Sequence, residues 1–104
     1  LDIGGRANLE KQSFAGMKLK AIDLRCANLS QTNFEDCDLS GADFSRANLQ
    51  GASFKNAILY GTNFKNSQMK NTDLRGAKIH NCNFQGICID DLLIDTSLIS
   101  NILK

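Results

Sequence analysis

Residues 33–54 read Asn-Phe-Glu-Asp-Cys-Asp-Leu-Ser-Gly-Ala-Asp-Phe-Ser-Arg-Ala-Asn-Leu-Gln-Gly-Ala-Ser-Phe. Every fifth residue returns the same chemistry. Phe34, Leu39, Phe44, Leu49 and Phe54 are large and apolar. Two positions before them stand Thr32, Cys37, Ala42, Ala47 and Ala52, all small. Between the two lies Asn33, Asp38, Asp43, Asn48 or Ser53. A period of five fits neither a 3.6-residue helix nor strand alternation. Extended outward, the large position holds Leu9, Phe14, Leu19, Leu24 and Leu29 before this stretch. After it come Leu59, Phe64, Met69, Leu74, Ile79, Phe84, Ile89, Ile94 and Ile99. The register runs nineteen steps without an insertion and carries all six Phe residues. A short unit repeated in this way cannot bury its apolar residue alone, so the units must stack.

Ala27-Asn28-Leu29-Ser30-Gln31, Ala42-Asp43-Phe44-Ser45-Arg46 and Ala47-Asn48-Leu49-Gln50-Gly51 resemble pentapeptide repeats of the A(D/N)LxX type. The resemblance covers residues 7–86 well, and 87–99 only in the large apolar position. It implies an all-β solenoid, a right-handed quadrilateral β-helix with four pentapeptides per square coil. Nineteen repeats divided by four make about 4.75 coils. The family includes topoisomerase-protecting proteins and effector domains, so the resemblance implies a fold far more sharply than a function.

On that fold, residues twenty apart stack at the strand spacing, roughly 4.8 Å. Four inward ladders result: Leu9-Leu29-Leu49-Met69-Ile89, Phe14-Phe34-Phe54-Leu74-Ile94, Leu19-Leu39-Leu59-Ile79-Ile99 and Leu24-Phe44-Phe64-Phe84. Phe14, Phe34, Phe44, Phe54, Phe64 and Phe84 therefore form the structural core on two opposite ladders, with Leu between them filling a square section. The residue two after the large one is the second central position of a corner. A type II turn needs φ > 0 there, which favours Gly or Asn. From Gly51 to Gly86 the position holds only Gly and Asn; earlier it is mixed, with Lys11, Ala21, Cys26, Gln31, Asp36 and Arg46. Type II corners are expected in the second half and other turns in the first.

The length bounds the chain to one domain. Residues 1–6, where Gly4 falls on a large position, read as an edge or linker; 7–94 as the β-helix; 95–104 as a C-terminal cap. Gln12, Met17 and Ile22 stand where small residues belong, which predicts a wider first coil. After Gly86 the pattern changes, with Ile87 and Leu92 at small positions and Leu93 and Leu98 at polar ones. Asp95 as an N-cap followed by apolar 98, 99, 102 and 103 has helical spacing, so a short helix closing the open end is predicted. The other use of this apolar tail is a homodimer contact, which the resemblance also implies. The first residue is Leu1 rather than Met, so a domain cut from a longer protein is expected.

A net charge of +1 supplies no field for direct nucleic-acid or anionic-membrane binding. No apolar run reaches the length of a membrane span, and no secretory signal is visible. No two of the four cysteines, Cys26, Cys37, Cys82 and Cys88, stack on each other in a twenty-residue coil. Free thiols in a reducing, cytoplasmic setting are the expectation, with delivery of an effector into a host cell as the other setting considered.

Catalysis finds no support. His80-Asn81-Cys82 lacks the second His that would complete a common zinc set. Asp23 and Asp43 stack one coil apart but on a convex wall beside Arg25 and Arg46, not in a pocket. The glycines recur as corners and not as a phosphate loop. No cofactor and no metal is expected, and a non-enzymatic scaffold for a protein partner is the leading reading. The alternative is a DNA mimic that protects or modulates gyrase or a related topoisomerase. Charge comes in bands, acidic at Glu35, Asp36, Asp38 and Asp43, basic at Lys55, Lys65, Lys70, Arg75 and Lys78, acidic again at Asp90, Asp91 and Asp95. On the third wall the polar column reads Lys18, Asp38, Ile58, Lys78, Leu98, and the column beyond the large residue reads Lys20, Ser40, Tyr60, His80, Ser100. Ile58 breaks the polar rule beside the chain's only Tyr. Ile58 and Tyr60 with Lys78 and His80 at the rim make the candidate protein-binding patch.

Overall fold

A computed structural model describes residues 7–102. The expected N-terminal edge, residues 1–6, and the last two residues of the expected cap lie outside the described residues. Parallel pairing at a spacing of twenty runs from Asn8↔Asn28 to Asp73↔Leu93. Each pair joins the polar residue of one repeat to its counterpart one coil on. Ladder bonds alternate on either side, as in Leu39 N–H to the Ile58 carbonyl at 2.9 Å and Ile58 N–H to the Cys37 carbonyl at 2.9 Å. The chain is thus wound into square coils stacked along one axis, 32 × 23 × 21 Å overall.

The Phe residues stack as the ladders require. Phe14, Phe34 and Phe54 form one column with centroids 5.4 and 5.1 Å apart. Phe44, Phe64 and Phe84 form the other, at 5.4 and 5.1 Å. Across the axis the columns meet edge to face, Phe44 against Phe54 at 5.4 Å and 83°. Both geometries suit the ring quadrupole. Phe34, Phe44, Phe54 and Phe64 are fully buried. Phe14 is only half-buried, because no described coil covers it. At the same end Gln12 and Met17 are exposed, while Ile22 is buried.

Every corner takes the same form. The second central residue has φ > 0 at all positions from Lys11 (63°) to Asp91 (63°), including Ala21 (60°), Cys26 (61°), Gln31 (57°) and Arg46 (60°). The residue before it does not, and in most repeats the turn closes with a bond such as Gln12 N–H to the Leu9 carbonyl at 3.1 Å. This is the type II pattern. The expectation of other turns in the first half is therefore corrected. The cause is the ladder: Ala21 N–H donates to the Ser40 carbonyl at 2.9 Å and Arg46 N–H to the Lys65 carbonyl at 2.9 Å. Each corner is held to the next, and this over-determines a conformation that the residue alone disfavours.

The Asn and Asp residues of the polar column have a shared task. Their side-chain oxygen accepts the N–H two residues on, as Asn33 does from Glu35 at 2.8 Å and Asp43 from Ser45 at 2.9 Å. That satisfies the first corner amide, which has no ladder partner.

The solenoid ends where the pattern changes. Ile87 falls in the column of Ala27, Ala47 and Ser67, and the first wall parts there. Gln68 and Cys88 form no bridge, and Asn71 N–H reaches Asp91 instead of Asp90. Pairing resumes only at Leu93. A 3₁₀ turn, Thr96–Leu98, then leads into α1, Ile99–Ile102. Asp95 carries no side-chain bond to that turn. Its carboxylate instead accepts Gly76 N–H at 3.0 Å, the amide that the next coil's backbone would have taken. Asn101 Nδ2 reaches the Ile79 carbonyl at 3.4 Å. Ile102 is buried, but Ile89, Leu93 and Ile99 are exposed, so the outer ends of two expected ladders, Ile89 and Ile99, are not core.

Candidate functional site

The third wall carries the two extended strands among the described residues: β1, Ile58–Tyr60, and β2, Lys78–His80. They pair in parallel, Ile58 on Lys78, Leu59 on Ile79, Tyr60 on His80. Elsewhere successive coils share at most a single bridge on each wall. The difference follows from residue type. In every other bridged pair at least one member is Asn, Asp or Ser, and most of these turn the chain by accepting the N–H two residues on. Only Ile58↔Lys78 has no such oxygen on either side, and there the backbone runs on extended through residues 60 and 80.

The four candidate residues therefore form a two-by-two block on one wall. Leu59 and Ile79 point inward and are buried. Tyr60 is 47 % exposed, and Lys78 and His80 are exposed. The Tyr60 and His80 rings meet edge to face at 6.4 Å and 89°. Ile58 is half-buried, like most of its column, because Asp38 and Lys78 flank it below and above. Sequence reading placed Ile58 fully outward; its neighbours in the ladder cover part of it.

The electrostatics of the wall change along the axis. At the lower end Asp38 accepts Ser40 Oγ at 2.8 Å and lies 3.7 Å from Lys20 Nζ. The Ser40 hydroxyl, then its backbone amide, hold the Asp38 carboxyl below the usual range. Above Asp38 the third wall has no acidic side chain. At the corner before it stand Lys55 and Arg75, both facing Asp73, with Arg75 in a two-pronged bond at 2.8 and 3.0 Å and Lys55 at 3.9 Å. The Arg75 guanidinium holds the buried Asp73 carboxyl below its ordinary value. Lys78 forms no ion pair among the described residues.

No group of His, Cys, Asp and Glu side chains among the described residues is arranged to hold a metal ion. His80 faces out, whereas Cys82 faces in, with its thiol donating to the Leu59 carbonyl at 2.7 Å. Asp23 is occupied by Arg25 at 2.6 Å. All four cysteines are free, Cys26 and Cys88 exposed, Cys37 buried and Cys82 half-buried. One polar device escaped sequence reading. Thr32, Thr62 and Thr72 donate their hydroxyls to the carbonyls of Leu9, Leu39 and Leu49, and Cys37 its thiol to Phe14, each twenty-three residues back. The signal was present, since Thr and Cys recur in a column otherwise mostly Ala.

The profile of the family described as pentapeptide repeats matches residues 5–41, 22–59, 37–76 and 47–86, eight copies in all. The chain belongs to the pentapeptide repeat family. The square coils described above are its right-handed β-helix. Among solved structures, this pentapeptide repeat chain is similar to Rfr23 from the cyanobacterium Cyanothece 51142, at 34 % identity and a TM-score of 0.86 over 90 % of this chain and 64 % of that one. A pentapeptide repeat protein of the Arabidopsis thaliana thylakoid lumen is similar at 32 % identity and a TM-score of 0.56, covering 83 % of this chain and 63 % of that one. A third, alr5209 from Nostoc PCC 7120, is 26 % identical with a TM-score of 0.59, covering 97 % and 81 %. The chain thus spans less than two thirds of the first two relatives. None of the curated proteins matches the sequence. No helix among the described residues is long and apolar enough to cross a membrane.

Proposed function

We propose that this pentapeptide repeat domain is a non-enzymatic scaffold that binds a protein partner through its third wall, with Tyr60 as the anchor. One observation carries the reading. The two-by-two block of Ile58, Tyr60, Lys78 and His80 lacks the Asn, Asp or Ser found in every other bridged pair and places an exposed aromatic beside an aliphatic, with basic groups at the rim. Aromatic anchors ringed by polar groups are what protein interfaces use. The rigid ladder behind the block means that binding costs little ordering entropy. Immobilised wild-type protein and its Tyr60→Ala variant provide the test. The reading predicts that the variant loses the partner the wild type captures and keeps its Tm. Retention of every partner by a Tyr60→Ala, Ile58→Ala double variant would overturn it.

Two further readings each have an observation in favour. Ile89, Leu93 and Ile99 are 45 %, 44 % and 37 % exposed at the C-terminal end, beside an apolar pocket of about 90 Å³ lined by Ile89, Leu92, Ile94, Ile99 and Ile102. This supports a homodimer contact there, which sedimentation of wild type against Leu93→Glu tests. The slender cross-section, 23 × 21 Å, supports the DNA-mimic reading, and the net charge of +1 weighs against it. A gyrase supercoiling assay with and without the protein separates that reading from the scaffold. The free thiols support a reducing compartment such as the cytoplasm.

A further inference from the structure

We infer that the partner segment seated on the third wall is an extended, acidic stretch of polypeptide in which an apolar residue and a carboxylate stand two positions apart. The inference rests on the scaffold reading and specifies its ligand. Most of the wall's backbone amides are already paired within the solenoid, as in Ile58 N–H to the Cys37 carbonyl, Lys78 N–H to the Ala57 carbonyl and Gly61 N–H to the His80 carbonyl, so side chains dominate the contact. In an extended strand, residues two apart project to the same side about 6.8 Å from each other. Ile58 and Tyr60 stand two apart in β1, and Lys78 and His80 two apart in β2 directly above. A partner strand running alongside presents alternate side chains at the same interval, with an apolar one over Ile58 and Tyr60 and acidic ones toward Lys78 and His80.

Charge selects the acidic chemistry. Above Asp38 the wall and its two bordering corners carry Lys55, Arg75, Lys78 and His80. Two carboxylates border the block: Asp38, directly below Ile58 in the ladder, and Asp73 on the adjoining wall, which Arg75 and Lys55 already occupy. Asp95, at the top of the same corner, accepts Gly76 N–H. Asp38 is engaged by Ser40 and Lys20. Lys78 is left with no carboxylate of its own chain among the described residues. A basic partner strand would meet like charge, and this sets specificity and association rate more than raw affinity.

The test uses the full chain and three fluorescein-labelled probes: an octapeptide of alternating Glu and Val, one of alternating Lys and Val, and a short DNA duplex. Binding is read by anisotropy and mapped by amide and side-chain NMR shifts. The inference predicts saturable binding of the Glu–Val peptide with shifts centred on residues 58–60 and 78–80. It also predicts about tenfold weaker binding for Lys78→Glu, the scale of one lost charged contact. Lys65→Glu, on another wall, should leave binding unchanged. Equal loss in Lys65→Glu, shifts centred elsewhere, or tighter binding of the DNA duplex at the same residues would overturn it. The Lys–Val peptide seating at residues 58–60 would overturn the acidic chemistry alone and leave the wall as the binding face. No probe shifting the wall would overturn the inference, while the Tyr60→Ala capture experiment would still decide the scaffold reading.

Discussion

The Thr62 hydroxyl donates to the Leu39 carbonyl one coil below at 2.9 Å, in a site with no water access to either atom's residue. That carbonyl also accepts Ala42 N–H at 3.0 Å as the closing bond of its corner. Thr62→Val removes the donor, keeps the shape and leaves the carbonyl one partner. The expected cost is therefore that of one net hydrogen bond, about 1 kcal/mol. Urea denaturation checks it. A loss above about 3 kcal/mol would show that the hydroxyl holds the coils in register and is more than a single bond.

Corner residues give a paired prediction. Ala21 has φ 60° and Gly76 φ 76°. Ala21→Gly relieves a left-handed backbone and pays unfolded-state entropy in return, so a net gain of roughly 0.5–1 kcal/mol is expected. Gly76→Ala goes the other way, and its new Cβ also meets Asn56 Oδ1 from the coil below. A loss of about 1–2 kcal/mol is expected. Thermal melts of the two variants should move in opposite directions; a shift in the same direction would refute the shared corner geometry.

Asp73 sets an acid limb on stability. Its carboxyl is held low first by the Arg75 guanidinium bond and then by the Arg75 amide. A depressed pKa means that the folded state favours the charged form. The contribution is present in full above the ordinary aspartate value of about 3.9 and is lost as pH falls through the folded value. Asp73→Asn keeps the acceptor for the Arg75 amide and loses the charge. The variant should be about 0.5–1 kcal/mol less stable at neutral pH, and the two proteins should converge in strong acid. A pH-independent difference in denaturation midpoints would assign the loss to packing instead.

The thiols should divide by position. Burial pushes the Cys37 and Cys82 thiols above their usual value, and each donates to a carbonyl of the coil below. Cys26 and Cys88 are exposed. Alkylation of native protein followed by mass spectrometry should modify Cys26 and Cys88 promptly and the other two only after denaturant is added. Rapid labelling of Cys37 would contradict its inward placement.

Much of this architecture is legible in a register of five. The Phe columns follow from counting in twenties, as do the partners of Ile58 and Tyr60. Four features were not legible. Arg46 or Gln31 at a left-handed corner runs against local preference, and only the bonds from the next coil impose it. The half-burial of Ile58 likewise comes from its neighbours above and below and not from its own position in the repeat. At the C-terminal end, Ile87 in a column of small residues announced a break, but the substitution of the Asp95 carboxylate for a ladder carbonyl depends on side-chain reach that no pattern encodes. The wall's lack of Asn, Asp or Ser at both 58 and 78 was visible as an exception; its consequence, a longer strand pair, needed the structure.

The most direct measurement places a photo-crosslinking amino acid at position 60 and, as a control, at position 45 on another wall. Both sites lie on the same rigid body, and neither side chain is in the core. The account predicts a discrete crosslinked partner from position 60, its yield suppressed by Lys78→Glu, and none from position 45. Equal crosslinking from both positions, or a product from position 45 alone, would contradict the assignment of the third wall as the binding face.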